Sequence, residues 1–150
     1  MELILWRHAE AEDGLSDDAR ALTAKGEKQA DKMATFLRAI LPHDTRVLAS
    51  PAKRAQQTAQ AFTNHFTTEP GVGLGALPSA ILKAANWPDD EGTVLIVGHQ
   101  PVLGEVAALL MTGHATSWSV KKGAVWWFSR RAREGDYQTS LRLVIGPEHL

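Results

Sequence analysis

The stretch Leu3-Ile4-Leu5-Trp6-Arg7-His8-Ala9-Glu10 begins with an apolar run and passes directly into an arginine–histidine pair. A continuous apolar run of this length is typical of a central parallel strand, because both faces of such a strand are covered. Ligands in open α/β sheets bind just beyond the carboxyl ends of the strands. The stretch therefore predicts an α/β fold and places a guanidinium and an imidazole where that fold keeps its chemistry. A solvated strand end would have the same pattern, so the rest of the chain has to separate the two interpretations.

Length and composition set the class of protein. A chain of 150 residues is long enough for one domain with a substantial core and too short for two. Its 44% apolar and 22% charged residues are ordinary for a globular protein. No cysteine is present, which excludes disulfides, thiolate metal sites and a cysteine nucleophile. We therefore expect a single domain over residues 1–150.

Charge and hydropathy bear on partners and location. A net charge of -1 argues against general electrostatic binding of nucleic acid or of an anionic membrane. The first residues enter a strand without the basic segment and cleavage site of a secretory signal. No apolar run is long enough to cross a bilayer. These features predict a cytoplasmic protein that binds neither nucleic acid nor membrane.

Strand and helix patterns alternate along the chain. Thr23 is a candidate cap for a first helix that Pro42 ends, and Ser50-Pro51 is predicted to open a second helix with Arg54 beside its buried stripe. That stripe comprises Ala52, Ala55, Ala59, Phe62 and Phe66. The remaining elements are strands at 46–49 and 93–97, a short helix at 79–85, a helix between Pro101 and Gly113, and a hairpin of 124–128 and 139–145 around a polar turn at 131–136. Residues 67–77 are predicted to form loop. This order predicts a three-layer αβα fold with a mostly parallel central sheet and an antiparallel C-terminal hairpin.

Three predicted strand–helix junctions carry similar chemistry. Arg7-His8 follows the first strand, Ser50 and Arg54 follow the second, and His99 follows the strand at 93–97. Because parallel strands with helical crossovers end at the same edge of the sheet, these side chains are expected to converge there. Guanidinium groups match phosphate oxygens, and helix N-termini add further N–H donors. The junctions therefore predict an anion site, with phosphate as the best-fitting ligand.

Other site chemistries lack their motifs in this chain. The sequence contains no GxxxxGK[ST], no GxGxxG after a strand, no HExxH and no GxSxG, and its six histidines lie far apart. A histidine is left as the best candidate nucleophile, because its neutral nitrogen can attack phosphorus. We expect neither a metal nor a cofactor.

Four blocks of sequence carry a resemblance to a known family. They are Leu5-Trp6-Arg7-His8, Leu22-Thr23-Ala24-Lys25-Gly26, Ala49-Ser50-Pro51-Ala52-Lys53-Arg54-Ala55-Gln56-Gln57-Thr58-Ala59 and Val97-Gly98-His99-Gln100-Pro101. In this order and spacing the chain resembles the histidine phosphatase (phosphoglycerate-mutase-like) superfamily, and in particular its short SixA-like phosphohistidine phosphatases. The third block is the most specific of the four.

The resemblance implies roles for individual residues. His8 would be the phosphorylated nucleophile, Arg7 and Arg54 would hold the phosphoryl oxygens, and His99 would hydrogen-bond them in the transition state. Arg20 would be a further phosphate or substrate contact, and it is equally compatible with a solvated loop arginine. The implied activity is metal-independent hydrolysis of phosphohistidine on a protein partner, through a covalent intermediate on His8.

Two positions depart from the family pattern. Ala9 stands where the family often has glycine; if the backbone had a positive φ there, alanine would cost on the order of 1 kcal/mol. The region 73–78, where mutase-like relatives place a glutamate general acid, has no carboxylate, and Glu69 lies too early in the chain. A phosphoramidate nitrogen leaves more readily than an alkoxide, so the missing acid favours phosphohistidine as substrate. Two alternatives stay open: a phosphatase of small phosphomonoesters with the same mechanism, and a non-catalytic phosphate-binding module.

Overall fold

A computed structural model describes residues 1–150 of the chain, and its helices and strands alternate in the predicted order. The strands are β1 (Glu2–Arg7), β2 (Arg46–Ala49), β3 (Thr67–Thr68), β4 (Thr93–Gly98), β5 (Val125–Arg133) and β6 (Asp136–Ile145). The α-helices are α1 (Ala24–Ile40), α2 (Lys53–Phe62), α3 (Pro78–Ala84) and α4 (Val102–Thr112). No helix is long and apolar enough to span a bilayer.

One six-stranded sheet runs through the molecule in the order β3-β2-β4-β1-β5-β6. The strands β3, β2, β4 and β1 pair in parallel, whereas β5 pairs antiparallel with β1 and with β6. The predicted mostly parallel sheet with an antiparallel C-terminal hairpin is therefore confirmed. It places the carboxyl ends of β1, β2 and β4 side by side.

Alternate residues of β1 face opposite layers of helices. Leu3 and Leu5 belong to the core that includes residues of α3 and α4, whereas Ile4 and Trp6 belong to the core beneath α1 and α2. All four of these side chains have no solvent exposure. Burial on both faces explains why the opening run is continuously apolar, and it confirms the three-layer αβα architecture.

The second helix begins later than predicted. It starts at Lys53, because the backbone bends at Pro51 and the N–H of Ala52 donates to Ser50 Oγ at 3.1 Å. Arg54 lies within the buried face and is only 3% exposed, so the prediction that it sits beside the buried stripe is wrong. The predicted stripe also extended too far, since Phe66 lies beyond the end of the helix. The stripe is predicted from apolar residues alone, so the prediction could not include a buried arginine.

Two further boundaries differ from the sequence prediction. The segment predicted as loop contains the two-residue edge strand β3 and a 3₁₀ turn at Pro70–Val72, both too short to leave a periodic pattern. The C-terminal hairpin closes on Glu134 and Gly135 alone, both with positive φ, so the strands extend through the polar residues predicted to form the turn. A two-residue turn of this kind matches the strand twist and leaves charged residues on the exposed part of the ladder.

Candidate active site

The carboxyl edge of the parallel strands holds a cavity of about 380 Å³ that is dominated by polar side chains. The residues that line it are Arg7, His8, Ala11, Asp17, Arg20, Arg54, Leu74, His99, Gln100 and Lys122. All five residues predicted from the sequence to take part in the site therefore contribute to one cavity. Their catalytic roles stay predictions, which are taken up below.

His8 is neutral and has a defined tautomer. Its Nδ1 lies 2.7 Å from the carbonyl oxygen of Ala9, which can only accept, so Nδ1 carries the proton and Nε2 keeps its lone pair. The Nε–H of Arg54 donates to that Nε2 at 3.3 Å. Burial lowers the pKa of His8 to about 3, against the opposing effect of the Ala9 hydrogen bond, and the neighbouring His99 and Arg54 lower it further. At neutral pH this imidazole is an available nucleophile.

The side chain of Arg54 is held on three sides. Besides the contact with His8, Nη1 donates to the backbone oxygen of Asp17, and Nη2 lies 3.5 Å from Asp17 Oδ2. Three of its five N–H groups are engaged in these contacts, which leaves two for a ligand. Thr58 fixes the base of the helix: its hydroxyl donates to the carbonyl of Arg54 at 2.8 Å and accepts the N–H of Ala9 at 3.1 Å. The nucleophile loop and the arginine are thus tied together by one hydroxyl.

Arg7 carries a charge with no carboxylate beside it. Its Nη1 donates to the carbonyl of Val120 at 2.9 Å, and its Nε is buried without a hydrogen-bond partner. Burial and the nearby charge of Arg54 both lower the pKa of Arg7. Two partly desolvated guanidinium groups next to each other are costly unless an anion neutralises them. The arrangement fits a bound phosphoryl group.

His99 faces the same cavity from the end of β4. Its Nε2 lies 2.7 Å from Ser50 Oγ, and its Nδ1 is buried without a partner. The His8 and His99 ring centroids are 5.2 Å apart. Burial, followed by the charge of Arg54, lowers the pKa of His99 to about 4. Ser50, noted in the sequence only for its position, is thus the side chain that orients this imidazole.

Arg20 lies at the wall of the cavity and is paired. Its Nη2 is 3.0 Å from Asp17 Oδ1, and its Nη1 donates to the carbonyl of Glu12 at 3.1 Å. These contacts hold the guanidinium next to the cavity, so the side chain is not simply solvated. A direct contact with substrate stays a prediction.

Asp17 and Lys122 line the cavity and were missed in the sequence. The spacing of three residues between Asp17 and Arg20 is the one signal in the sequence, a weak one, that they form an ion pair. Nothing local in the sequence relates Lys122 to the site, because it arrives from a loop far along the chain. Both residues lie outside the α-helices and strands. Hydrophobic periodicity, which predicts those elements, carries no information about the course of the chain between them.

Asp17 supplies the one carboxylate among the residues that line the cavity. A hydrogen bond from Arg20 and the charge of Arg54 lower its pKa, so the group is ionised and a poor proton donor at neutral pH. Glu69 does not line the cavity. Its side chain accepts the N–H of Gly71 at 2.9 Å and caps a 3₁₀ turn. The cavity wall therefore holds no carboxyl group suited to protonating an alkoxide leaving group.

Ala9 has an ordinary backbone conformation. The non-glycine residues with positive φ are Asn86 and Glu134, so the turn after β1 does not need glycine. The Ala9 methyl group is fully buried and packs with Leu22 and Ala30. The backbone strain considered from the sequence is absent, because the φ of Ala9 is not positive. The methyl group packs in a small apolar cluster.

The low pKa values of His8 and His99 predict a loss of stability in acid. Below about pH 6.5 the unfolded chain protonates these imidazoles, whereas the folded chain keeps them neutral down to about pH 4 or lower. Protons then favour the unfolded state, so each histidine should lower the free energy of unfolding by about 2 kcal/mol between about pH 7 and about pH 5. Urea denaturation at both pH values measures this loss.

The variant His8→Asn isolates one of the two contributions. It should lose about 2 kcal/mol less than the wild type over the same pH interval. The exposed His114 provides the control, and His114→Asn should follow the wild type. Equal losses in wild type and His8→Asn would contradict the low pKa of His8.

Comparison with known proteins identifies the family. The model of the histidine phosphatase superfamily (branch 1) matches residues 3–72. The phosphohistidine phosphatase SixA homolog of Haemophilus influenzae is 35% identical over 126 residues, which cover 73% of this chain and 77% of that protein. Phosphohistidine phosphatase SixA of Escherichia coli is 31% identical over 125 residues, with 75% and 76% covered. The structure of the protein histidine phosphatase SixA complexed with tungstate shares the fold, with a TM-score of 0.83 over 99% of both chains at 24% identity.

The chain belongs to the histidine phosphatase superfamily, and within that superfamily it is SixA-like. It is accordingly a metal-independent phosphatase. The resemblance to this family that the four sequence blocks predict is confirmed. The segment matched by the family model ends before the block that contains His99, so the role of that histidine stays a prediction.

Proposed function

We propose that the protein hydrolyses phosphohistidine on a protein partner, through a single domain spanning residues 1–150. The observation that carries this proposal is the state of His8. It is a neutral imidazole whose unprotonated Nε2 accepts a hydrogen bond from Arg54, in a cavity whose carboxylate is already ionised. Such a site is built to receive a phosphoryl group and to release a leaving group that needs no carboxylic acid.

In the first step the Nε2 of His8 attacks phosphorus. The new Nε2–P bond forms as the bond from phosphorus to the substrate imidazole breaks. The substrate ring arrives with its distal nitrogen protonated, so it leaves as neutral imidazole and needs no proton from the protein. The free N–H groups of Arg7 and Arg54 hold the phosphoryl oxygens, and His99 lies beside them. The Ala9 carbonyl keeps its hydrogen bond to the Nδ1 proton and stabilises the positive charge that develops on the His8 ring.

In the second step water attacks phosphorus on the phosphorylated enzyme. The Nε2–P bond breaks, phosphate takes the oxygen of the water, and the proton is lost to phosphate or solvent. His8 returns to its neutral form with the Nδ1 proton still facing Ala9. Both steps are displacements at phosphorus, which depend on positioning and on fixed positive charge.

Phosphohistidine suits this site better than a phosphate ester, because the phosphoryl donor and the phosphoryl acceptor are both imidazoles. The phosphoryl group passes from one imidazole to another, so the first step is nearly balanced in free energy. An ester would have to expel an alkoxide, which requires a proton donor. The ionised Asp17 is poorly suited to supply that proton. The similarity to SixA phosphohistidine phosphatases, one of which binds the oxyanion tungstate, supports the same substrate class.

Steady-state rates on matched substrates test the proposal. We expect kcat/KM on free phosphohistidine, and on a phosphotransfer protein phosphorylated with phosphoramidate, to exceed that on phosphoserine by at least about a hundredfold. Higher kcat/KM on phosphoserine would contradict the proposal and favour a phosphatase of small phosphomonoesters. If none of these substrates released phosphate, the protein would be interpreted as a non-catalytic phosphate-binding module.

A further inference from the structure

Most lysines of this chain lie in two segments, helix α1 and the loop before β5. The sequence contains seven lysines, and five of them are Lys25, Lys28, Lys32, Lys121 and Lys122, which we call the lysine surface. All five are exposed, and none forms an ion pair. The whole chain has a net charge of -1, so the residues outside this surface are net negative. The lysine surface is therefore a local departure from the charge of the molecule.

Basic and acidic side chains of helix α1 lie on opposite flanks of the helix. Lys25, Lys28 and Lys32 line a groove of about 410 Å³ beside Pro147, whereas Glu27 and Asp31 line the opposite flank next to α2. Lys28 and Lys32 are four residues apart, as are Glu27 and Asp31, and like charges at this spacing destabilise a helix. These two like-charged pairs therefore do not stabilise the helix. One acidic residue, Glu148, also lines the groove, and its carboxylate lies 3.7 Å from His149 Nε2.

The lysine surface borders the candidate active site at Lys122. Lys122 lines the catalytic cavity, and the next residue, Gly123, donates its N–H to the carbonyls of Arg7 and His8 at 3.1 Å each. A Cβ placed on Gly123 would lie 3.6 Å from the Cβ of Gln29 and 3.2 Å from Pro147, and both of these residues line the lysine groove. Gly123 therefore lies between the loop that carries His8 and helix α1. From Lys25 to Lys32 the helix extends this surface by about 10 Å.

We propose that the lysine surface docks a folded, acidic protein that presents phosphohistidine to the cavity. This inference rests on the proposed function and adds the chemistry of the partner. A protein that inserts a phosphorylated histidine beside His8 must lie against the rim that includes Lys122, and aspartate or glutamate around that histidine would then face the lysines. Complementary charge of this kind accelerates encounter and fixes the register of the bound partner. Free phosphohistidine reaches the cavity without touching α1.

Charge reversal distinguishes docking from chemistry. On an acidic phosphotransfer protein phosphorylated with phosphoramidate, Lys28→Glu/Lys32→Glu should lower kcat/KM by about tenfold at low ionic strength, mainly through KM. The loss should shrink in about 0.5 M salt, because exposed charges are then screened. With free phosphohistidine the variant should match the wild type.

The matched control reverses two cations elsewhere. Lys83 on α3 and Arg133 at the tip of the hairpin are exposed and lie outside the lysine surface, so Lys83→Glu/Arg133→Glu makes the same change in net charge. This control should retain the wild-type kcat/KM on both substrates. Equal kcat/KM for the two double variants on the protein substrate would overturn the docking proposal while leaving the proposed function intact. A wild-type enzyme that hydrolyses phosphoserine but neither phosphohistidine substrate would overturn the proposed function, and the docking proposal with it.

Discussion

Replacing His8 with alanine is expected to abolish the phosphoenzyme and to lower kcat/KM on phosphohistidine by at least about a thousandfold. The reason is chemical: His8 Nε2 is the proposed attacking atom, and alanine removes the imidazole that carries it. The measurement is rapid-quench labelling with a phosphoryl donor, followed by acid and base treatment. A phosphohistidine label is lost in acid and survives base.

The control for this prediction is a histidine outside the cavity. His114 is exposed and lies in the loop after α4, so His114→Ala should keep both the label and the wild-type rate. Added imidazole should restore part of the turnover of His8→Ala, because the free ring can enter the vacated space and accept the phosphoryl group. An acid-labile label on His8→Ala, or near-normal turnover without imidazole, would show that another group is the nucleophile.

The second large effect is expected at Arg54. Changing Arg54 to alanine should lower kcat by about a hundredfold or more, the usual cost of losing a fixed donor to a transition-state oxyanion. The structure adds a second reason, since Arg54 Nε holds His8 Nε2 at 3.3 Å and the guanidinium anchors the loop that carries Asp17. Arg54→Lys should recover only part of the loss, because an ammonium keeps the charge but cannot reproduce the planar fork.

Arg38 offers the comparison for Arg54. It contacts the same helix at the other end, where Nη1 donates to the carbonyl of Ala61 at 2.8 Å, and it lies on the surface away from the cavity. Arg38→Ala should change kcat by less than about twofold, apart from any change in stability. Single-turnover rates separate binding from chemistry in each variant. A loss confined to KM in Arg54→Ala would assign this arginine to ground-state binding rather than to the chemical step.

Thr58 joins the two segments that carry His8 and Arg54. Its hydroxyl joins the N–H of Ala9, directly after the proposed nucleophile, to the carbonyl of Arg54. The residue is fully buried, so these hydrogen bonds do not compete with water. The loop after β1 and the first turn of α2 are thereby held together. Preorganisation of this kind is what displacement at phosphorus requires of a protein.

Much of the site was predictable because strand ends are predictable. The apolar runs before Arg7 and before His99 identify buried parallel strands, and the carboxyl ends of such strands must meet at one edge of the sheet. The position of Arg54 followed from the strand before it, but its burial did not. A charged side chain is normally expected on the exposed face of a helix. Here the cavity gives it hydrogen-bond partners in His8 and Asp17.

The order of elements, the three-layer arrangement and the convergence of three site residues could all be predicted from the sequence. These features depend on local periodicity and on the geometry of parallel strands. The three residues are Arg7, His8 and His99. The tertiary structure alone decided that Asp17 neutralises part of the site, that Ser50 orients His99, and that Lys122 joins the cavity to the lysines of α1. Those contacts join segments far apart in the chain through loops. A loop path follows from the packing of the whole molecule, and no short stretch of sequence records it.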